Sequence, residues 1–168
     1  MALVKVSENT EQLDQVHALT RAFVEWHRQR YVEDIKLIDK YFDAPAFEEE
    51  LASLPGKYAP PHGTLLLATH EDSPAGCVAL REIDARTCEM KRMFIYAHLH
   101  GKGIGKALAQ ALIERAHAIG YQSMRLNTGL RQDEAKALYQ SLGFRVIEPY
   151  YELPEKLHNW VVFMELKL

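Results

Sequence analysis

MFIYAHLHGKGIGKAL, residues Met93 to Leu108, carries an apolar strand through a loop with Gly101, Gly103 and Gly105 into the start of a helix. Three alternating glycines let backbone come close to a ligand, and the helix that follows turns unpaired N–H groups and a positive dipole end toward an anion. Phosphate is the natural guest. A Walker loop would need glycine where His100 stands and Ser or Thr after Lys106, where Ala107 stands. A dinucleotide fingerprint would need glycine at the place of Lys106, inside a doubly wound parallel sheet. Neither nucleotide reading fits.

Beyond Gly103, Ile104, Ala107, Leu108, Ala111, Leu112 and Ile119 fall on one helical face, and Gly120 can close that helix. Upstream, Thr64 to Thr69, Ala75 to Glu82 and Cys88 to Ile95 are strand-like runs separated by turn residues, as in an antiparallel meander. Downstream, Ser123 to Asn127 is a short strand, Asp133 to Leu142 a helix, and Phe144 to Ile147 and Trp160 to Leu168 two more strands around a segment with Pro149, Tyr150, Tyr151 and Pro154. At the start, Leu3 to Val6 reads as a strand and Asn9 or Thr10 as the cap of a helix ending near Arg30. In that helix Leu13, Val16, Thr20, Phe23, Val24 and His27 share a face. A second helical region, Tyr31 to Leu54, is broken near Pro45 and closed by Gly56. A strand, helix, strand unit inside an otherwise antiparallel order gives an α+β fold: a mixed, mostly antiparallel sheet with a central β-α-β unit, flanked by helices, in a single domain over residues 1–168.

The composition agrees with an ordinary globular chain, 48% hydrophobic and 26% charged with a net charge of -3, and it carries no basic nucleic-acid footprint. No leader pattern or membrane-length apolar run is present, so the expected location is the cytoplasm. Cys77 and Cys88 lie in apolar strand-like runs and read as buried thiols, and the eight histidines show no metal-ligand spacing. No metal is expected.

The run His100, Gly101, Lys102, Gly103, Ile104, Gly105 resembles the signature of the GNAT N-acetyltransferase superfamily, and Ala135, Leu138, Tyr139, Gly143 and Phe144 resemble that family's later helix motif at matching intervals. The resemblance implies an enzyme of the acyl-CoA N-acyltransferase fold, with acetyl-CoA as co-substrate and a small-molecule, amino-acid or peptide amine as acceptor. It implies a sheet parted between the strand ending at Ile95 and the one ending at Asn127, with the pantetheine arm pairing against the backbone of Met93, Phe94 and Ile95. The pyrophosphate would rest on amides from Gly101 through Ile104 and Gly105 to Lys106, with Lys102 and Lys106 adding charge. His100 departs from the usual Arg or Gln and puts an imidazole in place of a permanent charge or fixed donor beside the phosphates. Asn127 and Gln132 are further candidates for contact with the cofactor. A homodimer is compatible with the resemblance.

An alkylammonium of pKa ~10.4 costs roughly 4 to 5 kcal/mol to deprotonate at neutral pH, so a base assists attack on the thioester. The resemblance points to Glu89 as that base and to Tyr139 as donor to the departing thiolate. Strand alternation would put Glu89 on one face with Lys91, Met93 and Ile95. Glu89 has a plainer alternative as a strand carboxylate paired with Lys91 or Arg81. The acceptor pocket is expected from the two N-terminal helices and the Pro149 to Trp160 segment, through Trp26, His27, Tyr31, Tyr150, Tyr151, His158 and Trp160. Two other functions fit the same residues: a non-catalytic acetyl-CoA sensor of this fold, and a general binder of phosphate ligands.

Overall fold

The computed structural model describes residues 4–8 and 12–168. The strand start expected at Leu3 and the cap expected at Asn9 or Thr10 lie outside them. Strand β1 (Val4–Glu8) precedes the long helix α1 (Leu13–Arg30), a 3-10 turn (Val32–Asp34) and the short helices α2 (Ile35–Tyr41) and α3 (Ala44–Ala52). The meander follows as β2 (Thr64–His70), β3 (Ser73–Asp84) and β4 (Thr87–Ile95). Helix α4 (Ile104–Ile119) crosses to β5 (Ser123–Gly129), and α5 (Asp133–Ser141), β6 (Arg145–Ile147) and β7 (Val161–Lys167) complete the chain. Among the described residues the strands form one sheet in the order β1-β2-β3-β4-β5-β7-β6. Every pairing is antiparallel except β4 with β5, the two strands joined by α4, because parallel neighbours need such a crossover.

Strand β2 is buried along almost its whole length because helices cover both faces of the sheet. Alternation sorts its leucines. Leu66 joins Val78, Leu80 and Met90 under Ile104, Leu108 and Leu112 of α4, while Leu65 and Leu67 join Cys77 and Ala79 against Val16 and Leu19 of α1. Each fully buried leucine of this kind stabilises the fold by about 2 kcal/mol. A third cluster, Leu157, Val161 and Phe163, packs on Leu37 and Tyr41 of α2 and ties the segment after β6 to the N-terminal helices. Both cysteines are buried free thiols, and burial pushes each up to about 12. No helix among the described residues is long and apolar enough to cross a membrane.

The break expected near Pro45 is present, and the closure expected at Gly56 is corrected. The break in the second helical region falls at Phe42 and Asp43, and Pro45 sits inside the first turn of α3, where its missing N–H would have had no helical partner. Gly56, at φ +44°, opens a separate 3-10 turn (Gly56–Tyr58) rather than closing α3, which ends on Ser53. In α1, Leu19 is buried with Val16, Thr20 and His27, whereas Val24 is only half-buried.

Candidate active site

The parallel strands β4 and β5 pair only at Thr87 with Ser123, Cys88 with Met124 and Glu89 with Arg125. Past Glu89 they part. On the other side of β4, the register to β3 slips between Lys91, opposite Ala79, and Phe94, opposite Cys77, so β4 holds one residue more than its partner. Arg92 absorbs that bulge at φ +58°, a left-handed conformation uncommon for a side-chain-bearing residue. The bulge also exchanges the faces. Cys88 and Met90 face the α4 core, Met93 and Ile95 pack there too, and Phe94 turns to the α1 side. Strand alternation therefore does not carry from Glu89 to Met93, contrary to the sequence expectation.

A cavity of about 560 Å³ opens at the glycine loop, lined among others by Trp26, His27, Met93, Ile95, His100 and Tyr139. Gly101, at φ +80°, and Gly103, at φ +81°, hold the loop in left-handed turns, and an added Cβ at either would meet nothing, so backbone angle rather than crowding selects glycine. Gly103 caps α4 and accepts the first helical bond from Ala107 at 3.0 Å. The amides of Ile104, Gly105 and Lys106 thus have no partner inside the helix and suit an anion. His100 turns its Nε2 to the Ile95 carbonyl at 3.1 Å and sets its ring edge-on to Trp26. Arg30 also lines the cavity and pairs with Glu134 at 2.7 Å.

A smaller cavity of about 80 Å³ lies on the α2 side, lined among others by Tyr41, Lys91, Arg92, Asn127, Tyr139 and Trp160. The two cavities share Phe23, Met93, Gln132 and Tyr139. The Tyr139 ring packs edge-on against Phe144, and its hydroxyl has no hydrogen-bond partner among the described residues. Burial holds that phenol well above its ordinary pKa. Gln132 is fixed from both ends: Thr128 Oγ1 donates to Oε1 at 2.9 Å, and its Nε2 donates to His27 Nε2 at 2.6 Å. His27 Nδ1 in turn donates to the Phe23 carbonyl at 3.0 Å, and burial lowers this imidazole to about 4, keeping it neutral. Asn127 accepts from the Tyr41 hydroxyl and donates to Tyr151, both at 2.5 Å.

A sequence profile of the acetyltransferase (GNAT) family matches residues 18–144. The chain belongs to that family. An uncharacterized N-acetyltransferase of Schizosaccharomyces pombe is 39% identical over 72% of this chain and 74% of its own. The N-acetylaspartate synthetase of Danio rerio is 36% identical over 69% of this chain and 42% of its own. Among solved structures, an N-acetyltransferase of Thermoplasma acidophilum in complex with coenzyme A superposes with a TM-score of 0.74 at 17% identity, over 99% of each chain, which is a likeness of fold.

This GNAT chain is an acetyl-CoA-dependent N-acetyltransferase, and its residues fall into three groups. Met93, Ile95, His100, Gly101, Gly103, Ile104, Gly105, Lys106, Gln132 and Tyr139 come together around the glycine-loop cavity. Lys102 is exposed and outside that lining, Phe94 contributes to the smaller cavity, and Asn127 lies on the smaller cavity with its amide already engaged. Glu89 lines neither cavity. Its carboxylate is fully buried, accepting from Arg81 Nε at 2.8 Å and from the Tyr150 hydroxyl, with Lys91 Nζ 3.9 Å away. Of the aromatic residues expected around the acceptor, Trp160 lines the smaller cavity, whereas Trp26, His27 and Tyr31 face the larger one and His158 turns to the Leu153 carbonyl. Sequence reading missed Tyr41, Phe42 and Arg92 in the smaller cavity. The one available signal was the adjacent cations Lys91 and Arg92 inside a strand otherwise buried at Cys88 to Met90.

Proposed function

We propose that the enzyme moves an acetyl group from acetyl-CoA to a primary amine of a small molecule, amino acid or peptide by direct attack in a ternary complex. The observation that carries this reading is the meeting of two cavities at Tyr139, in the seam where β4 and β5 have separated. The orphan amides of Ile104, Gly105 and Lys106 receive the pyrophosphate, and the backbone of Met93 to Ile95 aligns the pantetheine arm. The thioester then sits at the wall common to both cavities, with the amine on the α2 side. An N-acetylaspartate synthetase among the relatives supports an amino acid as one acceptor class.

Proton handling follows from what faces the smaller cavity. Burial lowers Lys91 to about 8, against the opposing pull of Glu89, so at mildly alkaline pH its neutral form is populated and accepts the proton of the incoming ammonium. Glu89, held in place by Arg81 and Tyr150, then stabilises the lysine cation from behind. Tyr139, with a hydroxyl that has no hydrogen-bond partner among the described residues and a phenol kept protonated by burial, donates to the departing sulfur. The test is an amine-library screen that follows free thiol released from acetyl-CoA; turnover of an amine supports transfer. The sensor reading draws on the sequestered Glu89, and acetyl-CoA binding without turnover on any amine would select it.

A further inference from the structure

Among the described residues the smaller cavity is lined by Arg92, a permanent cation, by Lys91, which is cationic when protonated, and by no carboxylate. Around it three permanent cations, and Lys91 when protonated, share two carboxylates. Arg81 and Lys91 lie 2.8 and 3.9 Å from Glu89, and Arg92 and Lys57 lie 2.6 and 3.0 Å from Glu50. Although burial opposes ionisation of Glu50, the hydrogen bonds from Arg92 and Lys57 bring it down to about 2, so it stays a full anion. The wall therefore keeps an excess of positive charge facing a confined space lined largely by protein, where charge acts more strongly than in bulk water.

Arg92 is held in one pose. It donates to Glu50 through Nε at 2.6 Å and Nη2 at 3.0 Å, and its guanidinium lies over the Phe47 ring at 5.1 Å. Its bonds to Glu50 use Nε and Nη2 and leave Nη1 outside that pair, the Tyr58 hydroxyl lies beside the same ion pair, and the side chain, 17% exposed, borders the smaller cavity. The left-handed bulge places this residue directly before Met93, one of the four residues at which the two cavities meet. A guanidinium fixed along one edge with a donor left at the other is preorganised for an anionic oxygen.

We propose that the acceptor is an amine bearing its own carboxylate, and that Arg92 is the residue that selects it by binding that carboxylate through Nη1. This rests on the acetyl-transfer reading above. A polyamine or simple alkylamine brings only further positive charge to a wall already rich in it, whereas an amino acid brings the missing counter-charge and presents its amine beside the anchored end.

The test compares amino acids with their decarboxylated amines and their amides as acceptors for the full chain, following free thiol, while coenzyme A binding is read by thermal shift. The expected result is a kcat/KM at least about tenfold higher for the carboxylate-bearing member of a pair. In Arg92→Lys, which keeps the charge but loses the fork, the KM for that member rises about tenfold with the coenzyme A shift intact. A paired variant, Arg92→Gln with Glu50→Gln, removes both charges together and leaves no unpaired buried ion, and it should erase the preference. Equal or better turnover of the decarboxylated amines, with the coenzyme A shift present, overturns the carboxylate proposal alone. Absence of both turnover and shift overturns the acetyl-transfer reading beneath it.

Discussion

Removing one oxygen at Tyr139 separates chemistry from binding. Its hydroxyl bonds to no protein group among the described residues, so Tyr139→Phe leaves no stranded partner and costs little stability. Steady-state kinetics should show kcat reduced by about 10- to 100-fold, with the coenzyme A thermal shift unchanged. An unchanged kcat would remove Tyr139 from the reaction. Lys91 gives a second handle. Its folded pKa of about 8 lies below the ordinary lysine value, and the neutral form is the one that accepts a proton, so the rate should climb as pH rises through about 8 and level off above it. Lys91→Met should abolish that climb. A profile with no inflection in that region in the parent enzyme would assign proton acceptance elsewhere.

The loop and helix proposed to hold the phosphates are most exposed to change at Gly103, which sits at φ +81° as the cap of α4. Gly103→Ala meets no steric obstacle, yet a side chain in that conformation costs about 1 to 2 kcal/mol. Denaturant midpoints should show that loss, and coenzyme A affinity should fall with it because the amides of Ile104 to Lys106 are re-aimed. Loop and helix were legible in advance because glycine spacing and a 3.6-residue apolar period are local signals, and α4 begins at Ile104 and ends on Gly120 as read. Strand β4 was legible only in part. Its span was clear, but the extra residue at Arg92 carries no glycine and no proline, and it reverses which side chains face α4. Met93 lies past the last pair joining β4 to β5 and reaches the cavities, whereas Glu89 is still paired to Arg125 and does not. Likewise Tyr41 and Phe42 come to the site from the junction after α2, through packing of distant segments that no short-range pattern encodes.

Across the whole molecule, ligand binding should appear as stability. A ligand that binds only the folded chain stabilises it by about 2.7 kcal/mol when present at a hundred times its Kd. Coenzyme A should therefore raise the melting temperature clearly more than ATP or NAD at equal concentration. Equal shifts from all three would favour a general phosphate binder over this family's cofactor site. The order of strands and helices, read along the chain, was enough to expect one parallel pair, since a lone strand, helix, strand unit in an antiparallel sheet has to create one, whereas the parting of that pair was implied by the family resemblance. What lay beyond reach was the content of the acceptor side, which is assembled from α2, β4, β5 and the residues before β7.

With only three residue pairs joining β4 to β5, the sheet is close to two smaller sheets sharing a short stitch, kept in line elsewhere by crossings such as Gln132 to His27 and Arg30 to Glu134. On the proposed reading, a guest that adds its own amides along the opening would finish the weave. Hydrogen exchange at Leu126 to Gly129 should accordingly slow when the thioester donor is present, and the lifetime of the chain against proteases should follow the size of the acyl-donor pool.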